Sequence, residues 1–74
     1  MKAYVLITVE VGKLAEAQEH LRTAGIGDVD AVAGIYDLVA VVEADDPRRI
    51  GEIVIGTIQR TAGVLSTVTL MQLN

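Results

Sequence analysis

The chain has 74 residues, of which 51% are hydrophobic, and it carries a net charge of −4 and no cysteine. This length makes one small domain, and the lack of cysteine excludes disulfides and thiolate metal sites. The negative charge argues against binding to a nucleic-acid backbone, and the apolar runs are too short to span a bilayer. We therefore expect a single cytoplasmic domain, residues 1–74, with no signal peptide.

The first half of the chain predicts a strand, a helix and a weaker strand. Residues 3–11 have an apolar side chain at every odd position, which is typical of a strand. Gly12 ends this strand, and a helix is predicted from Lys13 to Ala24, with Gly25 as its stop. A second strand is expected at about Val29 to Ala33. The predicted buried face of the helix consists of Leu14, Ala17, Leu21 and Ala24.

The second half predicts a strand, a helix and a final strand. Residues 37–44 read as a strand that pairs with the preceding one as a hairpin. Asp46 is a suitable N-cap and Pro47 a suitable first residue for the helix that follows. Residues 61–63 stop this helix, and residues 64–73 form the last strand. The predicted apolar face of the second helix consists of Ile50, Ile53, Val54, Thr57 and Ile58, with Ile55 off this face.

The element order is β-α-β-β-α-β, which predicts a ferredoxin-like α+β fold. Right-handed crossovers give a four-stranded antiparallel sheet with both helices on one face. The strand at 37–44 is nevertheless apolar on both faces, so its second face also needs a cover. We predict that a second copy packs there, sheet against sheet, in a homodimer. The predicted dimer interface consists of Tyr4, Leu6, Val39, Val41, Leu65, Met71 and Leu73.

No catalytic, metal or cofactor site is predicted from the residues. His20 is the only histidine and reads as a helix-surface residue. The acidic pair at 45–46 is interpreted as a helix cap, and the arginines at 48–49 as a solvated helix face. Ser66, Thr67 and Thr69 have no neighbouring base that would make them nucleophiles.

The turn at residues 33–37 is a candidate binding element. Gly34 can adopt positive φ and expose backbone N–H groups to a carboxylate, while Asp37 is a fixed negative charge suited to an ammonium group. Together they provide what an α-amino acid requires. The same spacing is also that of an ordinary hairpin turn in which Asp accepts from nearby backbone amides, and spacing alone favours this structural interpretation.

Three segments resemble the effector-binding domain of the Lrp/AsnC family of transcriptional regulators, also called the RAM domain. They are AYVLITVEVGK, GIYDLVAVVEADD and IGEIVIGTIQRTAGVLSTVTLMQL, and together they cover essentially the whole chain. The most specific part is Gly34-x-Tyr36-Asp37 leading into an apolar strand. The chain resembles the stand-alone form, which lacks the N-terminal helix-turn-helix of full-length members.

The resemblance implies a sheet-to-sheet dimer, often assembled into rings of four or five dimers, that binds a small amino acid between dimers. It implies effector-binding roles for Gly34, Tyr36 and Asp37 and for Thr67 and Thr69, the threonines in some members coming from a neighbouring subunit. Ala33 stands where relatives commonly have Thr. The implied function is amino-acid sensing that modulates transcription through association with full-length relatives.

Three other functions stay open at this stage. The chain is alternatively a purely structural oligomerisation module whose turn has no effector. ACT-type amino-acid-binding domains share the strand order and are a second alternative. A small enzyme of the dimeric-barrel kind is the third, and the single histidine speaks against it.

Overall fold

The computed structural model describes all 74 residues and confirms the α+β ferredoxin-like arrangement. The elements follow the predicted order along the chain. They are β1 (Lys2–Val9), α1 (Leu14–Thr23), β2 (Asp28–Ala31), β3 (Leu38–Glu43), α2 (Pro47–Ile53), a π-helical continuation of α2 (Val54–Ile58), and β4 (Val64–Met71).

The four strands form one antiparallel sheet in the order β2-β3-β1-β4. Directly paired residues of antiparallel strands lie on the same face of a sheet, so the register divides the strands into two faces. Val5 pairs with Ala40 on one side and with Thr69 on the other, and this row faces the helices. Leu6 pairs with Val39 and Val68 in a row that faces away from them. We call the side without helices the open face.

The hydrophobic core lies between the helices and one face of the sheet. It comprises 13 buried residues of 74, all apolar, so burial within the single chain is modest. The core residues are Ala3, Val5, Ile7, Ala17, Leu21, Ile26, Val29, Leu38, Ala40, Val42, Ile50, Val54 and Ile58. Neither helical segment has the length and apolar content that crossing a lipid bilayer requires.

The second helix begins as predicted, but its last five residues are π-helical, which was not predicted. The Asp46 carboxylate accepts from the Arg49 backbone N–H at 2.9 Å, and Pro47 is the first helical residue. Beyond Ile53 the backbone is π-helical, with the Gln59 N–H bonded to the Val54 carbonyl at 2.8 Å. The predicted apolar face is confirmed, since its members are buried or half-buried, and Ile55 is exposed.

Several predicted boundaries were too long. β1 ends at Val9, because the pairing register with β4 shifts between Thr8 and Val9, and Val11 is 98% exposed in the turn that follows. β4 ends at Met71, which leaves Leu73 outside the sheet. β2 covers only Asp28–Ala31 and β3 only Leu38–Glu43.

The buried face of α1 is narrower than predicted. Ala17 and Leu21 are fully buried, whereas Leu14 and Ala24 are exposed. Leu14 is the first residue of the ten-residue helix and Ala24 is its C-cap, so both lie at its ends. Ile26, just beyond the helix, is buried and contributes to the core in their place.

Candidate functional site

The turn between β2 and β3 places Gly34 and Asp37 at the end of the central strand pair. Gly34 has φ +147°, in the region that favours glycine, and open space lies around the position of a Cβ. The Asp37 N–H donates to the Ile7 carbonyl at 2.9 Å, and its carbonyl accepts from the Val32 N–H at 2.9 Å. The turn is therefore attached by its backbone to both β1 and the end of β2.

The Asp37 side chain is half-buried and bonded to β1. Its Oδ2 accepts from the Val9 N–H at 2.8 Å, at the point where the register of β1 shifts. This contact spans 28 residues of sequence and gives Asp37 a structural role. Oδ1 has no protein donor within hydrogen-bond distance and is not fully enclosed. One carboxylate oxygen thus fixes the group, and the other remains available.

The other two members of this turn are less constrained. Tyr36 is half-buried, and its hydroxyl makes no hydrogen bond within the chain. Ala33 is exposed and contributes no polar side-chain atom. None of the surface pockets is lined by residues of this turn. In the single chain, the turn is therefore an open surface element.

Thr67 and Thr69 lie on a different strand from the turn. Both are on the helix side of β4, where Thr67 Oγ1 accepts from Gln59 Nε2 at 3.0 Å. Thr67 pairs with Ile7, whose other neighbour is Leu38 on β3. Because β1 lies between β3 and β4, about two strand spacings, or roughly 10 Å, separate the threonines from the start of β3. A single chain does not bring the five predicted effector residues together.

The open face carries a continuous apolar surface, but the β4 residues on it are not the ones that the sequence predicted. Tyr4, Leu6, Val39 and Val41 lie on it as expected and are half-buried. The residues of β4 that pair into the same rows are Val68, opposite Leu6, and Leu70, opposite Tyr4. We use the term apolar patch for Tyr4, Leu6, Val39, Val41, Val68 and Leu70.

The predicted position of Met71 on this face was wrong, whereas Leu65 and Leu73 have no partner in the paired rows and their interface roles stay predictions. Met71 pairs with Ala3 and therefore lies on the helix side of the sheet. Leu65 lies at the register shift and is 68% exposed, while Leu73 is beyond the strand. Sequence reasoning missed Val68 and Leu70, because the apolar residues of β4 occur on both of its faces. The register with the well-patterned β1 was the only signal that identifies them.

Polar groups lie at both ends of the apolar patch. Lys2 and Glu43 pair across the strands at one end, with 4.0 Å between Nζ and Oε1, and Lys2 Nζ lies 5.9 Å from the centroid of the Tyr4 ring. At the other end the hydroxyls of Thr8 and Ser66 are hydrogen-bonded. An apolar centre with a polar rim is the anatomy of a protein interface.

The surface depressions of the chain lie away from the turn and the apolar patch. A groove between α2 and β4 is lined by Ile55, Gln59, Thr69 and Met71, among others. Charged residues at the start of α2 surround a second depression. His20 is exposed on α1 and makes no side-chain hydrogen bond, and no three His, Asp or Glu side chains cluster as metal ligands.

Solved structures with the same fold match the chain over nearly its full length. FFRP-DM1 has a TM-score of 0.87 and 25% identity, with 97% of each chain covered. This chain has a feast/famine regulatory protein-like fold. The neighbours are consistent with a small ferredoxin-like domain of the Lrp/AsnC kind.

Two further solved structures share this fold. TTHA0845 from Thermus thermophilus has a TM-score of 0.89 and 30% identity, covering 99% of this chain and 92% of its own. The hypothetical protein PHS023 from Pyrococcus horikoshii has a TM-score of 0.81 and 25% identity, covering 99% and 89%. No protein-family model and no curated protein matches the chain.

Proposed function

We propose that this feast/famine-like domain is a non-enzymatic, oligomeric sensor of a small amino acid. In this proposal it acts in the cytoplasm and modulates transcription by associating with DNA-binding relatives of the Lrp/AsnC kind. The likeness to FFRP-DM1 and the Gly34-x-Tyr36-Asp37 motif support this proposal.

The observation that carries the sensing proposal is the state of the Asp37 carboxylate. One oxygen is held by the Val9 N–H, so the group is positioned before any ligand arrives. The other oxygen is free to accept from an ammonium group. Gly34, three residues earlier, has the backbone freedom to present N–H groups to a carboxylate. The pair matches the two charged groups of an α-amino acid.

The separation of the predicted effector residues supports an oligomeric site. Because Thr67 and Thr69 lie across β1 from the turn, they contribute to the same site only if another copy supplies them. A homodimer through the apolar patch is the first step of such an assembly. A ring of four or five dimers, an octamer or a decamer, would then bring the β2–β3 turn of one dimer against its neighbour.

The sensing proposal is tested with a panel of the twenty amino acids. An amino acid that binds only the native form at 100 times its dissociation constant stabilises it by about 2.7 kcal/mol. For a domain of this size the unfolding midpoint should rise by roughly ten degrees or more. If no amino acid changes either the midpoint or the mass in solution, the sensing proposal fails.

The Asp37→Asn variant tests the residue that carries the proposal. The amide oxygen of Asn still accepts from the Val9 N–H, so we expect a folded protein of unchanged mass that no longer responds to the amino acid. Asp45→Asn is the matched control, because it removes one carboxylate from an exposed site without a hydrogen bond. An unchanged response in Asp37→Asn would exclude Asp37 as the ammonium-binding group.

A purely structural assembly module is the second candidate function. The hydrogen bond from the Val9 N–H to the Asp37 carboxylate favours this candidate, because a structural role at the end of β1 is enough to explain an Asp at position 37. Ala33 also supplies no hydroxyl to the turn. This candidate predicts an oligomer whose mass and stability are the same with and without amino acids. The panel above therefore separates the two functions.

A further inference from the structure

We propose that Gln59 is a positioning residue of the amino-acid site, which it serves by making the Thr67 hydroxyl a hydrogen-bond donor to the carboxylate of the bound amino acid. This role rests on the proposed sensing function. It adds to that function a residue that the sequence did not predict for the site and a direction in which the amino acid is bound.

The Thr67 hydroxyl has a hydrogen-bond donor beside it and no acceptor. Its Oγ1 accepts from Gln59 Nε2 at 3.0 Å, and the hydroxyl donates to no group of the chain. A hydroxyl has one O–H and two lone pairs, so the bond from the amide occupies a lone pair and leaves the proton free. A hydroxyl that accepts such a bond also becomes a stronger donor. Gln59 therefore favours the donor state of Thr67.

A free hydroxyl proton matches the carboxylate of an α-amino acid and not its ammonium group. A carboxylate only accepts hydrogen bonds, whereas an ammonium group only donates them. In the proposed oligomeric site, Asp37 of a neighbouring copy binds the ammonium group, and Thr67 donates to one carboxylate oxygen. The second carboxylate oxygen remains for the backbone N–H groups at Gly34. The amino acid consequently lies with its carboxylate toward β4.

The π-helical end of the second helix sets the direction of Gln59. The Gln59 N–H bonds to the Val54 carbonyl at 2.8 Å, where a regular α-helix would use the Ile55 carbonyl. One extra residue in a turn rotates the following side chains by about 100° relative to a regular α-helix. Gln59 is thereby bonded to β4 although the preceding residue, Ile58, is buried in the core. π-helical turns are frequent at functional sites.

Gln59 lies between two depressions that the predicted effector threonines line. One is the groove between α2 and β4, which Thr69 lines, and the other is a depression at the start of β4, which Thr67 lines. Gln59 is the only residue that lines both. Its bond to Thr67 is exposed, so water competes for both groups and the bond adds little to the stability of the fold. Variants at position 59 should therefore stay folded.

A double-mutant cycle with Gln59→Met and Thr67→Val tests this role. Each of the twenty amino acids is titrated calorimetrically into the unmodified chain, and the cycle is run with the one that binds most tightly. We expect Gln59→Met to weaken binding by about three- to tenfold and Thr67→Val by about tenfold or more. In the Thr67→Val background, Gln59→Met should change the dissociation constant by less than about twofold, because no hydroxyl remains to be oriented.

Gln18→Met is the matched control for a glutamine with a structural role. It removes the bond from Gln18 Nε2 to the Val29 carbonyl at the other edge of the sheet. Gln18→Met should leave the dissociation constant unchanged even if it lowers the unfolding midpoint. Gln59→Met should behave in the opposite way, with an unchanged midpoint in the absence of amino acid and a weaker affinity.

Three results would overturn the role of Gln59 while leaving amino-acid sensing intact. One is an unchanged affinity in Gln59→Met, and another is an equal loss of affinity in the presence and absence of the Thr67 hydroxyl. The third is a loss of affinity together with a lower solution mass, which would assign Gln59 to assembly. An unmodified chain that binds none of the twenty amino acids would overturn both the sensing function and this role.

The amine that lacks only the carboxylate of the same amino acid tests the direction of binding. We expect this amine to bind more weakly than the amino acid, with no further loss in Gln59→Met. An amine that Gln59→Met weakens as much as it weakens the amino acid would show that Thr67 does not donate to the carboxylate, and would overturn the proposal.

Discussion

Gly12 and Gly63 have similar φ values, but only one of them is also required by close packing. Gly63 has φ +94° and Gly12 has φ +83°, both in the region that side chains rarely adopt. A Cβ at position 63 would lie 3.2 Å from Lys13 Cβ and 3.4 Å from Ala17 Cβ, whereas a Cβ at position 12 would meet nothing within 4 Å. Gly63 therefore also allows the start of β4 to pass close to α1.

We expect Gly63→Ala to lower the free energy of unfolding by more than Gly12→Ala. The left-handed conformation should cost each variant about 1–2 kcal/mol, and only Gly63→Ala adds the contact with α1. Urea denaturation of both variants measures the difference. Equal losses would mean that the close approach to Lys13 and Ala17 relaxes without cost.

Asp37 shows what sequence reasoning can and cannot decide about one residue. The Gly34-x-Tyr36-Asp37 motif distinguishes Asp37 from the other acidic residues and is compatible with both a structural and a binding role. The donor to its carboxylate, Val9, lies 28 residues away in the sequence. A contact of that kind depends on the strand register, which local spacing does not contain. The position of Thr67 and Thr69 across β1 from Asp37 has the same origin.

Among the elements, the second helix was well predicted and β4 was not. The cap at Asp46, Pro47 and the apolar positions of the helix are local signals, and they are confirmed. In β4 apolar residues occur on both faces of the strand without regular alternation. Its sequence pattern therefore does not determine which of its residues face the helices. Pairing with β1 determines it, placing Val68 and not Met71 on the open face. The π-helical continuation was also not predicted.

Gly51 lowers the stability of α2. It lies inside the helix, its φ is not positive, and a Cβ there would meet nothing within 4 Å. Because Ala is favoured over Gly in a helix interior by about 1 kcal/mol, we expect Gly51→Ala to raise the free energy of unfolding by roughly 0.5–1 kcal/mol.

Glu52→Ala is a suitable control for Gly51→Ala in chemical denaturation. It changes the next position and removes only the exposed pair with Arg49, which should cost less than about 0.5 kcal/mol. A loss of stability in Gly51→Ala would show that the groove between α2 and β4 has no space for a methyl group.

At the scale of the molecule, the main feature is the imbalance between the two faces of the sheet. One face is covered by both helices, and the other presents the apolar patch with its polar rim. The sequence predicted this imbalance correctly, because the strand at 37–44 is apolar on both faces and β1 adds Tyr4 and Leu6 to the open face. The homodimer that follows from it stays a prediction.

We expect Val41→Lys to dissociate the sheet-to-sheet dimer. The charge would lie on the β3 side of the apolar patch, between Tyr4 and Asp28, where a partner sheet would have to desolvate it. The lysine chain can reach solvent in the monomer, so the single chain should still fold. Val11→Lys is the control, since Val11 is exposed outside the sheet.

Sedimentation at micromolar concentration measures the effect of Val41→Lys. The variant should sediment at about half the mass of the unmodified chain or less, while Val11→Lys keeps the mass of the unmodified chain. An assembly whose mass is unaffected by Val41→Lys would rule out the apolar patch as its interface.

The aromatic content of the chain has a practical consequence. The chain contains two tyrosines and neither Trp nor Phe, and the two lie at different places: Tyr4 in the apolar patch and Tyr36 in the β2–β3 turn. Each would therefore serve as an intrinsic optical probe, one for the proposed subunit association and one for the proposed binding of an amino acid. Replacing either tyrosine with Phe leaves an ultraviolet signal from a single known location, so the two events can be followed separately without any attached dye.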